Sequence, residues 1–141
     1  MVGIMEIIPQ TPAMVRADWD YFANAIEVVA RKAQESFTPE QVMNALIANN
    51  AAAFYVYECG HHRGVLILTD HVDRYTGKTV IHVDMLYLNG PSVIHEMTEL
   101  LNVIASKYEF DVIEFRSPRK GWFKYLSDAG FKSCATFTKE L

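Results

Sequence analysis

The chain has little of what usually announces a function. Its 141 residues include two cysteines, Cys59 and Cys134. That is too few for the disulfide framework of a small secreted domain, and they form no paired Cys-x-x-Cys zinc motif. Positive charge is also short: the formal net charge is −4, which argues against a protein that coats nucleic acid. The start, "MVGIMEIIPQ", has no basic region ahead of an apolar run, so it does not read as a signal peptide. No apolar stretch is long enough to span a bilayer. A soluble cytoplasmic protein is the expectation. Repeats, low-complexity tracts and Gly/Ser linkers are absent too, and a single domain over 1–141 is expected.

What is present supports a core. Half of the residues are hydrophobic and 12% are aromatic. "VGIMEIIP" reads as a β-branched strand stopped by proline. Thr11 and Pro12 then open a helix, and Val15, Trp19, Phe22, Ile26 and Val29 place one apolar stripe along it. Thr38, Pro39 and Gln41 start a second helix with a capping box, whose buried face is Val42, Leu46 and Ile47. "AAFYVYECG" and "GVLILTD" read as a hairpin turning at "HHR", and "HVDRYTGK" as a polar turn. "TVIHVDMLYLN" is a long strand. A helix follows with Ile94, Met97, Leu101, Ile104 and Tyr108 in register. "DVIEF", the short helix "WFKYLSDA" closed by Gly130, and a last strand "FKSCATFTKEL" complete the chain. The order is β-α-α-β-β-β-α-β-α-β. An antiparallel meander followed by a strand–helix–strand crossover makes a mixed α/β sheet.

One stretch concentrates the functional question. "HVDMLYLNGPSVIHEMTELL" passes from a strand through Asn89-Gly90-Pro91 into a helix. Such junctions can hold phosphates, because the first amides of a helix point outward unpaired. This one offers a single glycine and no Lys or Arg.

The element order, "MLYLN" running into a helix, and "WFKYLSDAGFK" before the last strand together resemble the GNAT superfamily of acetyl-CoA-dependent N-acetyltransferases. In topology the resemblance covers essentially the whole chain. It implies a mostly antiparallel sheet with helices on both faces and a parallel strand pair that splays apart to admit the pantetheine arm of acetyl-CoA. Carried onto this sequence, the backbone of Leu86, Tyr87 and Leu88 would pair with pantetheine. Amides from Asn89, Gly90, Ser92, Val93 and Ile94 would receive the pyrophosphate. The implied reaction is direct attack of an amine acceptor, a small molecule or a protein, on the thioester. In compact size and reduced loop the chain also looks similar to small divergent members among bacteriophage gene products.

The sequence departs from that family in two places. Its Gln/Arg-x-x-Gly-x-Gly/Ala loop is replaced here by "NGPSVIHEM". Pro91 removes one amide donor, and Glu96 in the first turn would repel a phosphate. The family's tyrosine acid falls on Leu126, with Tyr125 the neighbour about 100° around the helix. Four residues before Leu86, where the family often has an acid, stands His82. It could serve as base, with Asp84 on the same strand face orienting or replacing it. The alternative is an ordinary polar pair on a partly exposed strand.

Arg116, Arg119, Lys120 and Lys124 form the densest basic stretch. Arg119, where the family commonly has an asparagine, is expected to contact the cofactor. These residues could take over the missing loop contacts to CoA phosphates, meet an acidic partner or nucleic-acid backbone, or form a solvated loop. "CGHH" reads as a polar hairpin turn, and no metal site is expected. Cys134 reads as a small buried apolar residue, and Trp19, Trp122 and Phe123 as core or groove walls. The runner-up function is a GNAT-fold protein without catalysis: an interaction or virion-associated module, or a phage inhibitor of a host protein.

Overall fold

The computed structural model describes residues 5–33, 35–90, 94–116, 122–134, 137 and 139–141. The strands are β1 (Met5–Gln10), β2 (Ala52–Glu58), β3 (His61–Val72), β4 (Thr79–Leu88) and β5 (Val112–Phe115). They form a five-stranded sheet in the order β1-β2-β3-β4-β5. The first three pairings are antiparallel, and β4 pairs with β5 in parallel. A parallel pair needs a crossover, and α4 (Ile94–Lys107) supplies it. The helices α1 (Pro12–Ala17), α2 (Trp19–Ala33) and α3 (Pro39–Ile47) cover one face of the sheet. There Val15, Phe22, Ile26, Val42 and Leu46 meet Ala53, Val65, Ile67 and Met85. On the other face α4 and α5 (Phe123–Asp128) bring Met97, Leu101 and Leu126 against Val56, Leu66, Ile81, Val83 and Leu86.

The long first helix of the sequence reading is two helices. Asp18 breaks it with a non-helical backbone (φ −115°, ψ 35°), and its carboxylate accepts from the Tyr55 hydroxyl. The second helix is capped as expected: Gln41 N–H donates to Thr38 Oγ1 at 3.2 Å, and Thr38 N–H donates to Gln41 Oε1 at 2.9 Å. Losing a cap of this kind costs about 1 kcal/mol. Thr38→Ala is therefore expected to lower the melting temperature by a few degrees in a calorimetric scan. An unchanged melting temperature would mean that the box contributes nothing.

Several expectations are corrected. The β2–β3 turn is Cys59–Gly60, both left-handed (φ 49° and 80°), so His61, His62 and Arg63 belong to β3 and not to the turn. Two left-handed residues match the twist of a tight hairpin, which is why the turn sits there. His71 and Val72 extend β3. Ile47 ends α3 facing solvent, and Tyr108 lies beyond α4, 63% exposed. Phe123 is exposed, whereas Trp122 is buried and Trp19 half-buried. Phe131–Cys134 carry no strand, and the sheet of the described residues has five strands, not six. The rest of that expected strand lies partly outside the described residues. Cys134 is exposed, not buried. Among the described residues no helix is long and apolar enough to cross a membrane.

Candidate active site

The geometry that matters begins where β4 and β5 part. Their pairs run from Val80↔Val112 to Val83↔Phe115, and Arg116 N–H donates to Val83 O at 3.0 Å. β4 continues through Asp84–Leu88, but β5 ends at Phe115. Along Asp84–Leu88 the β5-side edge of β4 therefore has no strand partner among the described residues. The N–H and C=O groups of such an edge can pair with an extended ligand. Leu86, Tyr87 and Leu88, the backbone to which the family resemblance assigns pantetheine, lie on this edge.

Asp84 marks the fork. The β3–β4 register passes from Ile67↔Met85 to Leu68↔Val83, so Asp84 is the extra residue of a β-bulge. Ile81 and Val83 enter the core beneath α4, so by strand alternation His82 and Asp84 lie on the α1–α3 side. The two are joined there, His82 Nε2 to Asp84 Oδ1 at 3.4 Å. Thr69 Oγ1 donates to the same carboxylate oxygen at 3.0 Å. His82 Nδ1 lies 3.2 Å from Glu114 Oε1, and His71 Nε2 lies 4.0 Å from that oxygen. The Asp84 carboxyl is raised above its ordinary value. Burial is the main cause, opposed by the Thr69 hydrogen bond and by the charges of His82 and Arg116. The sequence reading named His82 and Asp84 as candidates and did not name Glu114, His71 or Thr69, which stand beside them. Only strand pairing brings these three to the site, so no local pattern announces them.

Arg116 is the first residue of the expected basic loop. Its Nε and Nη2 donate to Glu35 at 3.1 and 3.3 Å, and its guanidinium lies 5.9 Å from the Phe37 ring centroid. It ties the end of β5 to the segment between α2 and α3. Lys124 is exposed on α5. Arg119, Lys120, Ser92 and Val93 lie outside the described residues.

An aromatic wall stands farther along the α1–α3 face. His62 lies 4.3 Å from Tyr55, 4.9 Å from Tyr21 and 5.2 Å from Tyr57 between ring centroids, and Tyr21 meets Tyr87 at 6.4 Å. Burial, with the neighbouring Tyr87 and Asp18, pushes the Tyr21 hydroxyl up to about 12. Among the described residues that hydroxyl has no hydrogen-bond partner. The alternation in "FYVYE" puts Tyr55 and Tyr57 on one face, and that was the signal available in the sequence.

At the end of β4, Asn89 N–H donates to Arg63 O at 2.7 Å, and Arg63 Nε donates to Asn89 O at 2.8 Å. Gly90 is left-handed (φ 77°), so glycine is needed at this turn. Ile94 opens α4 with its side chain in the core, 1% exposed, so any part it plays in binding falls to its backbone. His95 pairs with Glu99 at 3.1 Å. On α5, Leu126 is a core residue, 6% exposed, and Tyr125 is 46% exposed.

No family model matches the chain, and no curated protein matches it in sequence. Solved structures do match it. A ribosomal-protein-alanine N-acetyltransferase from Brucella melitensis biovar Abortus 2308 superposes with a TM-score of 0.69 at 16% identity, covering 98% of this chain and 99% of that one. A predicted acetyltransferase with acetyl-CoA from Clostridium acetobutylicum gives 0.65 at 11% identity, covering 98% and 96%. An aminoglycoside acetyltransferase from an uncultured soil metagenomic sample, in complex with sisomicin, gives 0.64 at 14% identity, covering 97% and 96%. At these identities the likeness is one of fold. The five-stranded sheet with its parallel β4–β5 pair and a helical layer on each face is the GNAT acetyltransferase fold.

Proposed function

We propose that this protein is an acyl-CoA-dependent N-acyltransferase, with acetyl-CoA as donor and an amine as acceptor. The observation that carries the reading is the Asp84–Leu88 edge of β4, without a strand partner among the described residues, beside a cluster of titratable side chains. An extended pantetheine arm would hydrogen-bond along Leu86–Leu88, which holds the thioester near the fork. The amine would approach on the α1–α3 face, between the aromatic wall and Asp84.

Transfer to an amine needs two reactants held in line and a base for the ammonium proton. Asp84 takes that proton in this reading: it lies at the fork, and burial raises its carboxyl above the ordinary value. His82 orients Asp84 and bridges it to Glu114. The nitrogen–carbonyl bond forms, the carbon–sulfur bond breaks and the thiolate takes a proton from Tyr125; the second proton of the attacking nitrogen returns through water to the Tyr125 phenolate, and Asp84 releases its proton to solvent. A structural neighbour solved with acetyl-CoA and an aminoglycoside acetyltransferase solved with sisomicin support an acetyl-CoA donor and an amine acceptor.

Calorimetric titration with acetyl-CoA, followed by thiol release in the presence of a panel of amines, tests this. Saturable binding and acceptor-dependent release of CoA are expected. Absence of both heat and thermal shift at millimolar acetyl-CoA would sink the reading. Burial of Leu126 at the family's tyrosine position favours a second reading, a binding module without catalysis. For it, acetyl-CoA binds and no amine releases CoA.

A further inference from the structure

Thr69, His82 and Glu114 stand directly opposite one another on β3, β4 and β5. They make one polar row across three strands. His82 and Asp84 are its inner members. Glu114 and His71 are its outer ones, 46% and 51% exposed.

The His82 ring lies between two carboxylates. Nδ1 is 3.2 Å from Glu114 Oε1, and Nε2 is 3.4 Å from Asp84 Oδ1. A neutral imidazole has one N–H and one lone pair, so it can donate to only one of them. Asp84 Oδ1 already accepts from the Thr69 hydroxyl at 3.0 Å. The contact to Glu114 is the shorter, and His71 Nε2, at 4.0 Å, is beyond hydrogen-bond reach of the same oxygen. The neutral ring is therefore best satisfied with its proton on Nδ1, donated to Glu114. Its Nε2 lone pair then faces Asp84. The remaining charge acting on Asp84 is Arg116, whose guanidinium Glu35 holds from the α2–α3 segment.

We propose that Glu114 is a positioning residue for proton transfer: by accepting Nδ1–H it fixes the His82 tautomer whose Nε2 can receive the proton that Asp84 takes from the attacking amine. This rests on the acyltransferase reading and adds to it a residue on β5, 32 positions away from His82 in the chain. Asp84 passes the proton to Nε2, and the imidazolium so formed is held by a carboxylate on each side. Nε2 later returns the proton through Asp84 to solvent. Nδ1–H stays with Glu114 throughout, so the ring ends in the tautomer in which it began. Without Glu114 the single ring proton falls to Nε2, where Asp84 accepts it. No lone pair then faces Asp84, which must hold the amine proton alone.

Two measurements test this. Long-range proton–nitrogen NMR correlations at about pH 8, above the ordinary histidine range, report the tautomer, and His82→Ala identifies the His82 signals by their loss. Nδ1–H is expected in wild type and Nε2–H in Glu114→Ala. In steady-state kinetics Glu114→Ala is expected to lower kcat about tenfold, with KM for the amine and affinity for acetyl-CoA within about twofold. In a His82→Ala background the same substitution should cost nothing more, because Glu114 acts through the ring. A structural or purely electrostatic Glu114 would give the same loss in both backgrounds, and that result overturns the assignment. So does Nε2–H in the wild-type ring, a measurement that needs no Glu114 variant to fold. Either leaves the acyltransferase reading intact. Failure of wild type to bind acetyl-CoA removes that reading, and this role with it.

Discussion

Asp84→Asn is expected to lower turnover of an amine acceptor about 100- to 10,000-fold while leaving affinity for acetyl-CoA within about twofold. The asymmetry follows from position. Asp84 stands on the α1–α3 face at the fork, whereas the donor would lie along the backbone beyond it. An asparagine keeps the volume and can still accept from Thr69, but it cannot take a proton. His82→Ala is expected to have a smaller effect, because it removes the bridge between Asp84 and Glu114 and leaves the carboxylate. Steady-state kinetics beside calorimetric titration reads both. An Asp84→Asn enzyme with turnover within about threefold of wild type would take Asp84 out of the proton transfer.

The same substitution has a stability signature of defined sign. The Asp84 carboxyl is raised from its ordinary 3.8, chiefly by burial, so the folded chain holds its proton more tightly than the unfolded one. The group therefore favours the fold fully below pH 3.8, and that advantage is lost as pH rises through the raised folded value. Wild type thus carries the cost of an ionised, partly desolvated carboxylate at neutral pH. Asp84→Asn is expected to melt higher than wild type at pH 7, with the difference shrinking to nothing in acid below the ordinary carboxylate range. A gain in stability coupled to a loss of turnover is what a site built for reactivity predicts. Lower stability at neutral pH would show that the Thr69 and His82 contacts outweigh desolvation. In the rate profile, the acid limb set by Asp84 should disappear in the variant.

Gly64→Ala is the second large effect, and it acts through the backbone. A Cβ at Gly64 would lie 1.7 Å from Tyr87 O, 2.7 Å from Tyr87 C and 3.1 Å from Leu88 Cα. Those atoms are main chain and cannot swing aside, so β3 and β4 must separate where β4 ends. The expected cost is about 3 kcal/mol, the upper part of the range for overpacked sites. That corresponds to a fall of roughly 10 °C in melting temperature for a chain of this size. Gly60→Ala is the control. Its Cβ would meet nothing within 4 Å, and the strain comes only from φ 80°. A loss of about 1 kcal/mol is expected there. Equal losses at the two positions would mean that β3 and β4 do not approach so closely at Tyr87. Acetyl-CoA affinity should fall in Gly64→Ala and be unaffected in Gly60→Ala, since only the first moves Tyr87 and Leu88.

Some of this was legible without coordinates because it is local. Thr38, Pro39 and Gln41 specify a capped helix start through contacts three residues apart. The apolar stripes of α2 and α4 and the crossover between β4 and β5 follow from spacing along the chain. The errors also have local causes. Asp18 breaks a helix whose apolar stripe runs straight through it, because Tyr55 from a distant strand takes its carboxylate. Cys59–Gly60 turns the hairpin in place of "HHR", because backbone sign at two positions outweighs the polarity of the next three.

The sequence by itself determined the class of this protein: a mixed sheet with amphipathic helices and a strand-to-helix junction at Asn89-Gly90 poor in glycine and charge. Periodicity and capping act over a few residues, so they can be read in one dimension. The tertiary structure alone decided the content of the candidate site. His71, Thr69 and Glu114 reach His82 and Asp84 through strand register, and Arg63 reaches Gly90 through a bulge. Register and bulges depend on pairing between segments far apart in the chain.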